Sequence, residues 1–212
     1  MARIINGILG GFSGKVGTVV GYASGNRYHM RAAPSVPKKF TSKELLNQQK
    51  FKTVNEALKS FRALLKVGFK NYYTATGGLR AAVSYTYKNA LIQQEGSFII
   101  EPTLLKISGG KLPQALNPKI SAFTKDTLTI TWENHGRTNL NDQLILLAYD
   151  AEKLQGMSLV YDGPLRKVAQ LKLTLPLDLQ HTLLHVYIGF IAADRSQQSD
   201  SQYLGSINTF TG

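Results

Sequence analysis

Residues 127–133 read TLTITWE and residues 183–192 read LLHVYIGFIA. In the first run Leu128, Ile130 and Trp132 point one way between threonines. In the second, Val186, Ile188 and Phe190 do the same. Successive side chains of a strand leave opposite faces, so this period of two predicts strands with one buried side. Leu171, Leu173 and Leu175 repeat it within Ala169–Leu175, and shorter runs follow at Lys119–Phe123, Gln143–Tyr149, Met157–Tyr161 and Gln202–Thr209. Asn134-His135-Gly136, Asp162-Gly163-Pro164 and Ala193-Asp194-Arg195 supply turn chemistry between them. Seven short strands over roughly the last 95 residues predict a β-sandwich.

The preceding half reads differently. Seven of the 19 glycines lie in the first 25 residues, at Gly7, Gly10, Gly11, Gly14, Gly17, Gly21 and Gly25, between short aliphatic pairs. Asn26–Arg31 reads as a strand, and Pro34 and Pro37 keep the following connector extended. Thr41 and Glu44 form a capping box, with Phe40 and Leu45 as its hydrophobic staple. A helix to about Lys66 follows, because Phe51, Val54, Leu58, Phe61 and Leu65 recur at helical spacing. Leu79–Ile92 predicts a second helix, and Phe98–Ile100 and Thr103–Ile107 predict strands. The fold class expected is therefore α+β: glycine-rich strands with two helices over residues 1–116, then a seven-stranded sandwich over residues 117–212.

Charge divides at the same place. The chain carries +12 overall, but residues 1–116 hold 17 Lys/Arg against Glu44, Glu56, Glu95 and Glu101. Residues 117–212 hold 8 against 9. A basic half of this kind suits a polyanion or an acidic partner. Lys52, Lys59, Arg62, Lys66 and Lys70 are its candidate polyanion contacts. Interleaved aromatic and basic residues at Phe69–Tyr73 and Arg80–Lys88 fit nucleic acid as well as ordinary packing. There is no cysteine, hence no disulfide scaffold. No apolar run reaches the length of a membrane span and no signal peptide opens the chain, so a cytoplasmic protein is expected, with particle association or non-classical export left open.

Catalytic patterns fail in turn. A phosphate loop ending at Gly14-Lys15 would need glycine at Leu9 and a hydroxyl at Val16, and a helix where Thr18-Val19-Val20 reads as strand. Gly11-Phe12-Ser13-Gly14 is followed by Lys15, which breaks a nucleophile elbow. His181 and His185 flank Thr182 where a zinc-protease helix needs glutamate, and in a strand they stand roughly 13 Å apart. These failures predict a non-enzymatic chain with no cofactor and no metal.

Two resemblances add to this reading. Trp132 in the second strand and Tyr187 in the sixth resemble the core pattern of immunoglobulin/fibronectin type III-like sandwiches, a likeness of fold that carries no activity. The run Gly7–Gly17 through Val19-Val20-Gly21 resembles the opening of a family of bacterial proteins that share a domain of unknown function. Gln49-Lys50-Phe51, Gly68-Phe69-Lys70, Ala81–Tyr85 with Lys88-Asn89-Ala90, Ala115-Leu116-Asn117-Pro118 and Ser201–Gly205 continue the likeness. It implies no reaction. The function expected is that of a structural or assembly subunit of a filament, particle or surface layer. Such a subunit would meet its own copies or other proteins through Gly7, Gly10, Gly11, Gly14, Gly17 and Gly21. The alternative is nucleic-acid binding by the basic half.

Overall fold

The computed structural model describes residues 3–4, 10–35, 39–72, 77–124, 126–134, 136 and 138–209. It divides into two compact units, Met1–Glu44 and Leu45–Gly212. The compositional break at 116/117 falls inside the second unit.

In the first unit β1 (Arg3–Ile4), β2 (Phe12–Val16), β3 (Val19–Ser24) and β4 (Arg27–Ala32) pair antiparallel in that order. Gly17 and Gly25 turn the two hairpins at φ +55° and +59°, a region that side chains strain to adopt. Among the described residues of this unit Gly21 alone is buried.

The first helical signal is met at once. The Thr41 amide donates to Glu44 Oε2 at 2.7 Å and the Glu44 amide to Thr41 Oγ1 at 3.3 Å, closing the capping box. The Thr41 amide and hydroxyl, both donating to its carboxylate, hold the Glu44 carboxyl below its ordinary range. Phe40 and Leu45, the expected staple, are both exposed.

α1 (Ser42–Ala57) stops nine residues short of the expected Lys66. A 3-10 turn at Lys59–Phe61 follows, and α2 (Arg62–Gly68) resumes the helix. The break has a physical partner: Tyr149 Oη donates to the Ala57 carbonyl at 3.1 Å, satisfying an acceptor freed at the helix end. Leu58, Phe61, Leu64 and Leu65 are then all buried, whereas Phe51, expected on the buried stripe, is 54% exposed.

α3 (Gly78–Asn89) ends before the expected Ile92, and β5 (Leu91–Gln94) and β6 (Ser97–Ile100) form a hairpin. The strand expected at Thr103–Ile107 is not one. Pro102 opens a 3-10 turn, Pro102–Leu104, and the Glu101 carboxylate caps it from the Thr103 amide at 3.3 Å.

All seven C-terminal strands are present within a few residues of expectation: β7 (Leu116–Phe123), β8 (Thr127–Glu133), β9 (Gln143–Asp150), β10 (Gln155–Leu159), β11 (Gln170–Thr174), β12 (Leu183–Ile191) and β13 (Gln202–Asn208). They make two antiparallel sheets, ordered β11-β8-β7 and β10-β9-β12-β13. Leu128, Ile130 and Trp132 meet Leu144, Leu146, Ala148, Leu184, Val186, Ile188 and Phe190 in one apolar core. Fully buried Arg166 braces it. Its guanidinium lies 3.7 Å from the Phe190 ring centre, donates to Pro113 O (2.7 Å) and Gln114 O (3.3 Å), and stands 3.5 Å from the Asp142 carboxylate. Burial raises the Asp142 carboxyl and lowers the Arg166 guanidinium from their ordinary values.

The other faces of β9 and β12 are buried too. Ile145, Leu147, Tyr149, Tyr187 and Ile191 pack with Val54, Leu58, Phe61, Leu64, Leu65, Phe69, Ala81, Ala82, Leu105 and Ile107 in a second core. The helical layer thus lies on the outer face of the four-stranded sheet. Gly68 permits close approach there, since a Cβ would stand 2.1 Å from the Ile107 carbonyl oxygen.

Leu146 and Leu147, adjacent and fully buried in different cores, test this continuity. Leu146→Ala and Leu147→Ala are each expected to cost about 2–5 kcal/mol in denaturant unfolding. Helical and sheet signals should move together in one transition. Separate transitions would show that the two cores fold independently.

Candidate interaction surfaces

Strand register sorts the N-terminal sheet into two unlike faces. Val16 pairs with Val19 and Val19 with Ala32; Gly14 pairs with Gly21 and Gly21 with Met30; Ala23 pairs with Tyr28. Cross-strand partners share a face, so all of these residues lie on one side, and among the described residues it bears no charge. Met30 is 73% exposed, Val16 56% and Tyr28 46%.

The opposite side takes the alternate register. Lys15 pairs with Val20 and Val20 with Arg31; Tyr22 pairs with His29, and Ser24 with Arg27. The Tyr22 and His29 rings stack with centres 5.3 Å apart. This side carries Lys15, Arg27 and Arg31 beside an aromatic pair.

The glycines explain why rings lie flat on the apolar side. A Cβ at Gly21 would stand 2.4 Å from the Phe12 carbonyl oxygen and 2.6 Å from its ring, and one at Gly11 would meet the Tyr28 ring. Gly14 adopts φ +113°. Gly10 is half-buried and precedes β2, Gly17 sits in the β2–β3 turn, and Gly7 lies outside the described residues. Alternation across β2–β4 was readable from VVGYAS and RYHMRA. The register adds which residues of β2 and β3 join each side.

The basic residues expected on one helix are dispersed by the break after α1. Lys52 pairs with Glu56 at 3.8 Å on exposed surface. Lys59 lies in the 3-10 turn, Arg62 and Lys66 share a face of α2 one turn apart, and Lys70 follows the helix with Nζ 3.5 Å from the Arg195 carbonyl. All five are exposed.

Of the histidines, His185 Nδ1 lies 2.9 Å from Tyr203 Oη and burial lowers its pKa. His181 sits in a turn at φ +57°. His135 lies outside the described residues. Among the described residues no cluster of three or more His, Asp or Glu has metal-binding geometry, and no helix is long and apolar enough to cross a membrane. The buried Arg166–Asp142 pair escaped sequence reasoning because the two lie 24 positions apart in turn-rich segments. Its geometry is that of a brace, with the guanidinium consumed by backbone carbonyls and a ring.

The profile of a family described as of unknown function, DUF6266, matches residues 11–205, beginning inside the glycine series. No curated protein matches. Among solved structures, the fn3 domain of the human collagen alpha-1(XX) chain is similar at 20% identity and a TM-score of 0.37, covering 50% of this chain and 90% of that one. The family profile spans nearly the whole sequence, so the chain belongs to the family of unknown function DUF6266.

Proposed function

We propose that this protein is a non-enzymatic assembly subunit that associates with a second copy of itself through the apolar face of its N-terminal sheet. One observation carries the reading: three strands, β2 to β4, expose Val16, Val19, Tyr28 and Met30 on a single side, with Gly21 as the unit's one buried described residue. A small sheet gains stability when an apolar face is covered, and exposed contiguous apolar surface marks an interaction site.

Charge selects the occupant. Residues 1–44 hold seven Lys/Arg against Glu44 alone, which makes most encounters between copies repulsive. The apolar side is the exception, because Lys15, Arg27 and Arg31 all leave the opposite side. Two such faces can stack at the usual inter-sheet spacing of about 10 Å with their charges outward. β4 is an edge strand with no further partner among the described residues, which offers a further route to strand addition. The C-terminal strands serve as scaffold, and we read them as a seven-stranded fibronectin III-like sandwich, on the support of the two sheet orders and their common core.

The outward face favours a second reading. Lys15, Arg27 and Arg31 around the Tyr22–His29 stack combine phosphate-pairing charge with stacking surface, which suits a single-stranded nucleic acid.

Light scattering across a concentration series is expected to find reversible self-association that persists as salt rises. Met30→Asp and Val16→Asp should return the chain to monomer with the unfolding transition of residues 45–212 unchanged. A monomer throughout would overturn the proposal. Gly14→Val places a β-branched residue at φ +113°. It should expose residues 10–35 to limited proteolysis and abolish association, while the transition of the remaining chain shifts by less than about 0.5 kcal/mol. For the second reading, mixed-sequence single-stranded RNA should bind at low salt, weaken steeply as salt rises and weaken again in Arg27→Glu/Arg31→Glu. Absence of binding at low salt would end it.

A further inference from the structure

A groove of about 540 Å³ runs between α1 and α3, away from the N-terminal sheet's residues in sequence and from every contact used above. Two rows of α3 side chains build it. Leu79, Val83 and Tyr87, spaced four apart, form an apolar row, and Phe51 of α1 faces it across the groove. Arg80 and Lys88 stand on the next row, two turns apart, and among the described residues no acidic side chain lines the groove. Side chains three or four apart on a helix are neighbours, so the apolar and basic rows run side by side along the same length.

Phe51 sharpens the point. Its position on the α1 stripe marks it for burial, yet half of it meets solvent at the mouth of this groove. The core beneath is closed without it, by Val54, Leu58, Ala81 and Ala82.

We propose that the α1/α3 groove is a docking site for an acidic amphipathic helix of a different protein. The apolar floor requires a partner with an apolar stripe, and the basic row requires carboxylates one row over. That is the pattern of a helix laid in a groove with anchors at i, i+4 and i+7. A second copy of this chain does not supply such a helix: α2 and α3 contain no acid, α1 has only Glu44 and Glu56, and residues 1–116 are strongly basic. A nucleic acid would satisfy Arg80 and Lys88 but leave Phe51, Val83 and Tyr87 uncovered. This inference stands independently of self-association through the N-terminal sheet.

Fluorescence anisotropy of the full chain tests it with a labelled model helix of about 16 residues. The probe carries leucines at i, i+4, i+7 and i+11 with glutamates on the adjacent row, beside a control with lysine for every glutamate. Saturable binding at micromolar concentration is expected, at least tenfold tighter for the glutamate helix. Phe51→Ala and Arg80→Glu/Lys88→Glu, all at exposed positions, should each weaken it at least tenfold with circular dichroism unchanged. Val16→Asp, on the N-terminal sheet, should leave it untouched. No saturable binding, equal binding of the lysine helix, indifference to both groove variants, or displacement of the peptide by mixed-sequence RNA would each overturn the proposal.

Discussion

Strands β9 and β12 are buried on both faces, and the rest of the 45–212 unit is arranged around that constraint. Leu144, Leu146, Ala148, Leu184, Val186, Ile188 and Phe190 close one core with the three-stranded sheet, while Ile145, Leu147, Tyr149, Tyr187 and Ile191 close another with the helices. A strand pair with water on neither side is a continuous apolar surface, worth roughly 25 cal/mol for each Å² it keeps dry. The two tyrosines on the helical side find acceptors in backbone: Tyr149 in the Ala57 carbonyl and Tyr187 in the Pro102 carbonyl at 2.7 Å. Each bond lands where helical backbone ends or turns, so the sheet also fixes where the helices stop. Burial pushes both phenols well above their ordinary pKa, which keeps them as neutral donors.

The N-terminal sheet obeys the opposite rule. It has strands and register but almost no interior, and its side chains are sorted by charge between two exposed faces. An element of this kind contributes little to its own stability and depends on what covers it. That is why the functional proposal rests on this sheet and why the glycines matter to it. Gly11 and Gly21 let the Tyr28 and Phe12 rings lie against backbone, and Gly14, Gly17 and Gly25 take conformations that shape the hairpins.

Much of the fold was legible in the letters because period two and capping chemistry are local. Leu128-Thr-Ile-Thr-Trp132 announces its face without help, and Thr41 with Glu44 announces a helix start that the hydrogen bonds repeat. What failed was decided at a distance. The helix break after Ala57 falls where Tyr149, 92 residues later, donates to the freed carbonyl, and Phe51 stays exposed beside an open groove. Thr103–Ile107 looked extended, but Pro102 and Glu101 wind its start into a turn. The run QLILLAYD at Gln143–Asp150 lacks alternation because both its sides are buried, so periodicity could not reveal the second core. For the same reason the compositional break at 116/117 reads as a boundary although packing crosses it. The surface candidates divide likewise: the glycine series was visible, but the separation of apolar from basic faces needed the register.

Helices and sheets of residues 45–212 share their packing through β9 and β12 and are expected to unfold as one body. Expression of residues 117–212 alone tests it most directly. Without the helical layer Ile145, Leu147, Tyr149, Tyr187 and Ile191 lose their cover, and the fragment is expected to lack near-ultraviolet circular dichroism and a cooperative thermal transition. A soluble fragment with native-like aromatic signals and a sharp transition of its own would contradict it.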